Sequence, residues 1–169
     1  MIDTATLLPD ALPLWGKHSV LLVDDDPAVL TSLRRLLRQQ PYEVLTAGSP
    51  ELALEVIERD KVSLILVDQR MPGMCGTELL AEVRRRSPHT ARLMLTAYPE
   101  NPEISDGFDG CIEWLVGKPW NDEALKLTLR QVLHRQERRG LGREPAGPGT
   151  RKSPALQEPG RDRNSGRAP

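Results

Sequence analysis

The sequence predicts a doubly wound α/β fold: five parallel strands in one sheet, with helices on both faces. Three observations carry this. Short apolar runs alternate with amphipathic stretches through most of the 169 residues. VSLILV (62–67) is apolar apart from Ser63, as suits a central strand covered on both faces. The connections are short and punctuated by Pro, Gly, Asp and Ser, which favours right-handed crossovers between neighbouring strands.

The elements follow in order. SVLLV (19–23) is a buried strand. Asp26 caps the next helix, with Pro27 at its first position. Leu30, Leu33, Leu36 and Leu37 mark one face of it, and Pro41 is expected to stop it. EVLTA (43–47) is the second strand. Ser49-Pro50 opens a helix with Ala53, Val56 and Ile57 turned inward. After VSLILV comes the loop MPGMCG, and Thr77 is expected to cap the following helix. ARLMLTA (91–97) is the fourth strand and CIEWLV (111–116) the fifth. Between them, 99–109 holds two prolines and a glycine, so a helix there is expected to be short or irregular. The last helix starts near Asn121 and carries Leu125, Leu129, Val132 and Leu133 on one face.

The ends of the chain differ from its middle. Residues 1–17 show no sustained period and are expected to form a flexible leader. Residues 139–169 are rich in Pro, Gly and Arg and poor in apolar side chains. Such a segment cannot offset its conformational entropy by burial, so a disordered tail is expected, with the ordered domain at 18–138. The tail's excess of basic residues reads most simply as a solvated surface. A net charge of −1 gives no bulk attraction to nucleic acid or membrane, and no direct nucleic-acid binding is expected. Two cysteines, Cys75 and Cys111, lie far apart without metal-site spacing. With no membrane-length apolar run and no secretory signal, the expected location is cytoplasmic.

In sheets of this kind the chemistry sits beyond the C-terminal ends of the strands. The first strand runs into Asp24, Asp25 and Asp26. The third ends at Asp68, the fourth at Thr96 and the fifth runs to Lys118. Carboxylates, a hydroxyl and an ammonium therefore converge on one edge. Clustered carboxylates repel unless a hard divalent cation sits among them, and Mg²⁺ suits one or two such ligands with water and phosphate oxygens. A carboxylate can attack phosphorus. Metal and ammonium would neutralise the equatorial oxygens of a transferring phosphoryl group, and the Thr96 hydroxyl could bond one of them.

VLLVDDDP, LILVDQRMPGMCGTELL, LMLTAY and GKPW resemble the signatures of response-regulator receiver domains of two-component signalling. The resemblance covers about residues 18–138. It implies a flavodoxin-like fold with strand order 2-1-3-4-5. It also implies Asp68 as phosphoacceptor, with Asp24, Asp25 and the backbone carbonyl of Arg70 joining Asp68 around Mg²⁺, or Mn²⁺ in its place. Thr96 would be the switch hydroxyl and Lys118 the lysine that pairs with the phosphoryl group. The Lys118–Pro119 bond resembles one that is cis in the family. The implied partners are a sensor histidine kinase or phosphotransfer protein and an unknown downstream protein, with a dimer possible through the last helix. The expected function is phosphorelay signalling without an output domain of its own. Self-catalysed phosphorylation and dephosphorylation would be its only reactions, so it is not expected to be an enzyme in its own right.

One position departs from the family. Many members carry Phe or Tyr three residues before the lysine, where this chain has Leu115, beside Trp114. A bulge at Gly117 would restore the register. This keeps a degenerate receiver, binding partners without phosphorylation, as the alternative. An aspartyl-phosphate phosphatase of the haloacid-dehalogenase type also uses an Asp after a strand. It needs an acid two residues later, and Arg70 occupies that place.

Overall fold

The computed structural model describes residues 18–100, 110–141 and 151–152. The elements are β1 (Ser19–Val23), α1 (Pro27–Leu37), β2 (Glu43–Ala47), α2 (Pro50–Arg59), β3 (Leu64–Asp68), α3 (Gly76–Arg86), β4 (Ala91–Thr96), β5 (Trp114–Gly117), α4 (Asp122–Leu141) and β6 (Arg151–Lys152). The five main strands are all parallel in the order β2-β1-β3-β4-β5, and the two-residue β6 adds parallel to β5 at the edge. The leader and residues 101–109, where a short or irregular helix is expected, lie outside the described residues. So does most of the tail. Its described parts are helical or paired: α4 runs on to Leu141, and Arg151–Lys152 joins the sheet.

The central strands are mostly apolar because each feeds two cores. The buried Arg92 of β4 is the interior exception, its guanidinium donating to the Thr90 and Cys111 carbonyls and pairing with Glu113. Leu21, Ile65, Val67, Met94 and Leu115 pack on one side with Ala53 and Ile57 of α2 and Leu79, Leu80 and Val83 of α3. Val20, Leu22, Leu64, Leu66, Leu93 and Leu95 pack on the other with Leu33 and Leu37 of α1 and Leu125, Leu129 and Leu133 of α4. Alternate residues point to opposite faces, so a sheet covered twice leaves no place for polar alternation. β2, at the edge, is only partly buried.

The helix starts follow from local chemistry. Asp26 accepts from the Ala28 amide at 2.8 Å and Ser49 from the Leu52 amide at 3.3 Å, each followed by Pro at the first helical position. Asn121 accepts from the Ala124 amide at 3.0 Å at the head of α4. The expected Thr77 cap is corrected: α3 begins at Gly76, with Cys75 in the cap position. Glu78 there accepts from the Cys75 amide at 2.9 Å, and Thr77 is buried in the first turn. The far end of α4 is tied to the sheet by His18, whose ring nitrogens lie 3.0 Å from Ser63 Oγ and 3.0 Å from Glu137 Oε1.

Three strands and one register differ from expectation, β4 by ending at Thr96. β3 starts at Leu64 and β5 at Trp114, each later than its apolar run. The β4–β5 register runs unbroken from Leu93↔Trp114 to Thr96↔Gly117, so no bulge stands at Gly117. With both faces covered, neither neighbour turns to solvent along its whole length. Leu115 is fully buried on the α2–α3 side, and Trp114 packs half-buried against the α1–α4 side.

Candidate functional site

The parallel register brings the ends of β1, β3, β4 and β5 to one edge. Asp24 and Asp25 follow β1 directly, Asp68 is the last residue of β3, and Thr96 is the last of β4. Thr96 pairs with Gly117, and the Lys118 amide donates to the Thr96 carbonyl at 2.7 Å, which carries Lys118 back over the sheet edge. The Lys118–Pro119 peptide is cis, as the resemblance implied.

The expected residues meet. Lys118 Nζ lies 2.7 Å from Asp68 Oδ1 and 3.2 Å from Asp24 Oδ2. Asp24 is buried, and its other oxygen accepts from the Asp26 amide at 2.9 Å. The second oxygen of Asp68 accepts from the Arg70 amide at 3.0 Å. Asp25 is exposed, but one carboxylate oxygen each from Asp24, Asp25 and Asp68 lie within 4.8 Å of one another. Arg70 enters the site by its backbone; its guanidinium turns away to lie 5.2 Å from the ring centroid of the exposed Tyr98.

The electrostatics follow from unequal numbers. Burial pushes the Asp24 carboxyl above its ordinary pKa, and this outweighs the Asp26 amide and Lys118, which favour the anion. Burial alone would pull Lys118 down. Hydrogen bonds and attraction to Asp68 and Asp24 together exceed that effect and hold the ammonium above its ordinary value. Lys118 faces two carboxylates, whereas those carboxylates share one ammonium. Three carboxylates against a single ammonium leave an excess close to that of a doubly charged anion. An oxygen-only donor set with that excess fits a hard divalent cation such as Mg²⁺. Soft thiolate or imidazole ligands are absent from this group.

Two residues were not singled out from the sequence. The Thr96 hydroxyl donates to Gln69 Oε1 and accepts from the Tyr98 amide at 3.0 Å. Gln69 could have been suspected only from its place beside Asp68. Gly76 opens α3 directly under the end of β3, where its amide donates to the Gln69 carbonyl at 3.0 Å. Its signal was a glycine closing the MPGMCG loop.

Comparison with known proteins points to one family. A model of the response regulator receiver domain matches residues 20–130. The hydrogenase transcriptional regulatory protein HoxA of Cupriavidus necator is 38% identical over 124 residues, covering 72% of this chain and 25% of HoxA. AfsQ1 of Streptomyces coelicolor, a transcriptional regulatory protein, is 32% identical over 71% of this chain and 53% of its own. The chain thus spans about a quarter to a half of these relatives' length. Among solved structures, a CheY-like receiver domain protein of Methanospirillum hungatei superposes with a TM-score of 0.68. It is 31% identical over 73% of this chain and 98% of that one. The response regulator TrrA of Thermotoga maritima, solved with Mg²⁺ and a beryllium fluoride, gives 0.62 at 30% identity, covering 68% of this chain and 98% of TrrA. Among the described residues, no helix is long and apolar enough to cross a membrane. The acidic edge, the lysine after β5 and the matched sequence together place this chain in the family of two-component response regulator receiver domains.

Proposed function

We propose that Asp68 accepts a phosphoryl group from a histidine kinase or phosphotransfer protein, and that the acyl phosphate controls contact with a downstream protein. The observation that carries this reading is the position of Lys118, which bridges Asp68 and Asp24 at the C-terminal edge of the sheet. An Asp68 oxygen attacks phosphorus, the bond from phosphorus to the donor's imidazole nitrogen breaks, and the donor, protonated on its other ring nitrogen beforehand, leaves as neutral imidazole. Asp24, Asp25, Asp68 and the Arg70 carbonyl would hold Mg²⁺, or Mn²⁺ in its place. When bound, the ion neutralises charge on the phosphoryl oxygens. Lys118 supplies the matching positive charge from the other side. It exchanges its contact with Asp68 for one with a phosphoryl oxygen. Thr96 then donates its hydroxyl hydrogen to another phosphoryl oxygen, drawing in the loop after β4. The signal leaves through the surface around β4 and β5, where a partner must bind one of the two states better.

A second reading has one observation behind it. Leu115 fills the position where the family often carries a rotating aromatic, and it is wholly buried in the α2–α3 core. A chain that binds its partner without phosphorylation would need no mobile side chain there. The phosphatase reading finds no acid two residues after Asp68, since Arg70 points its cation at Tyr98.

Incubation with acetyl phosphate separates these readings. Expected is a Mg²⁺-dependent, hydroxylamine-labile acyl phosphate that Asp68→Asn abolishes. No labelling of the wild-type chain favours the phosphorylation-independent module, and continuous turnover of an external phosphate ester favours the enzyme.

A further inference from the structure

The Thr96 hydroxyl is already committed. A hydroxyl carries one hydrogen. The Tyr98 amide donates into Thr96 Oγ1 at 3.0 Å, so that hydrogen points to Gln69 Oε1. Thr96 is 1% exposed, which leaves water little access to compete for the bond. The Gln69 side chain starts from a fixed point: its own amide donates to the Leu95 carbonyl at 2.9 Å, and its carbonyl accepts from the Gly76 amide at 3.0 Å. Phosphoryl oxygens only accept. One hydrogen cannot serve both Gln69 and a phosphoryl group.

We propose that Gln69 is a latch: its side-chain carbonyl holds the Thr96 hydroxyl in the unphosphorylated state and must release it before Thr96 bonds a phosphoryl oxygen. This rests on Asp68 being the phosphoacceptor. Gln69 is a positioning residue, acting on the switch through Thr96 and lying between the two strand ends that the switch couples. The Tyr98 amide bonds the same hydroxyl oxygen, so a shift of Thr96 toward the phosphoryl group also moves the acceptor of Tyr98, whose ring stacks with Arg70. The latch therefore links the state of Thr96 to the exposed pair over the site. The side chain at position 69 sets how far the resting equilibrium lies toward the inactive arrangement.

The test uses the full chain with Mg²⁺ and beryllofluoride as the phosphoryl mimic, titrated by calorimetry. Gln69→Leu removes the acceptor while its backbone bonds remain, and is expected to bind the mimic about two- to tenfold more tightly, the worth of one hydrogen bond no longer broken. Gln69→Ala should shift in the same direction. Thr96→Ala weakens binding, and in that background Gln69→Leu should have no further effect. A merely structural role for Gln69 would lower the unfolding midpoint and would persist in the Thr96→Ala background. Equal or weaker binding by both Gln69 variants, with wild type still binding, overturns the latch alone. A wild-type chain that takes up no beryllofluoride overturns the phosphoacceptor reading, and the latch falls with it.

Discussion

Gly76 lies so close beneath Asp68 that a Cβ built on it would overlap the Asp68 carbonyl oxygen and come within 3.1 Å of the carbonyl carbon. The obstacle is backbone, which cannot swing aside as a flexible side chain could. The head of α3 is thus seated against the end of β3 by the lack of a side chain, and Asp68 is held where Lys118 reaches it.

Gly76→Ala is therefore expected to cost about 1–3 kcal/mol of stability, the usual range for overpacking against rigid neighbours. Urea unfolding monitored by circular dichroism measures this. The same variant should label more slowly with acetyl phosphate, because the shift falls on Asp68. An unchanged unfolding midpoint would show that α3 can move away freely.

Lys118→Ala strips two carboxylates of their shared cation. Lys118 is itself partly exposed, with a side-chain exposure of 27%, so the loss is expected to be modest, about 1–3 kcal/mol without metal at neutral pH. Millimolar Mg²⁺ should narrow the gap by supplying the missing charge. A gap that Mg²⁺ leaves untouched would mean that the lysine acts by packing.

Asp24 contributes a slope to stability against pH. Burial raises its folded pKa above its ordinary 3.8, so the folded state binds the proton more tightly than the unfolded chain. Its favourable contribution is complete below that ordinary value and is lost as pH rises through the raised one. Lys118 is also raised, from 10.5, so its contribution is present through the neutral range and lost only above that value. Between mildly acidic and neutral pH a change in slope on replacing Asp24 therefore reports that carboxyl, apart from the surface glutamates whose pKa values are lowered. Without metal, Asp24→Asn should match wild type most closely in acid and become the more stable chain toward neutrality, as read by melting temperature. Added Mg²⁺ should favour wild type. A constant offset across this pH range would remove Asp24 as the cause.

Arg70 and Tyr98 stack beside the site, with Tyr98 55% exposed. We expect the pair to screen a phosphoryl group on Asp68 from water. Arg70→Ala and Tyr98→Ala are each expected to shorten the acyl-phosphate lifetime about two- to fivefold, the kinetic equivalent of a weak cation–π contact. Circular dichroism should show the fold intact. Equal lifetimes in all three chains would place the water route elsewhere.

Much of this was legible from the residues alone, for a physical reason. Strands buried on both faces are dominated by apolar residues, so the runs at 19–23, 62–67 and 91–97 announced the sheet, and polar residues at or just past the strand ends marked its rim. Asp24, Asp25, Asp68, Thr96 and Lys118 were found that way. Tertiary structure decided what periodicity does not encode. It set Lys118 against Asp24 across 94 positions of chain, turned the Thr96 hydrogen toward Gln69, and sent Leu115 and Trp114 to opposite cores. It also revealed that Gly76 is small because Asp68 is near. Such facts depend on register and on contacts a few ångströms long, and these exist only after distant segments have packed.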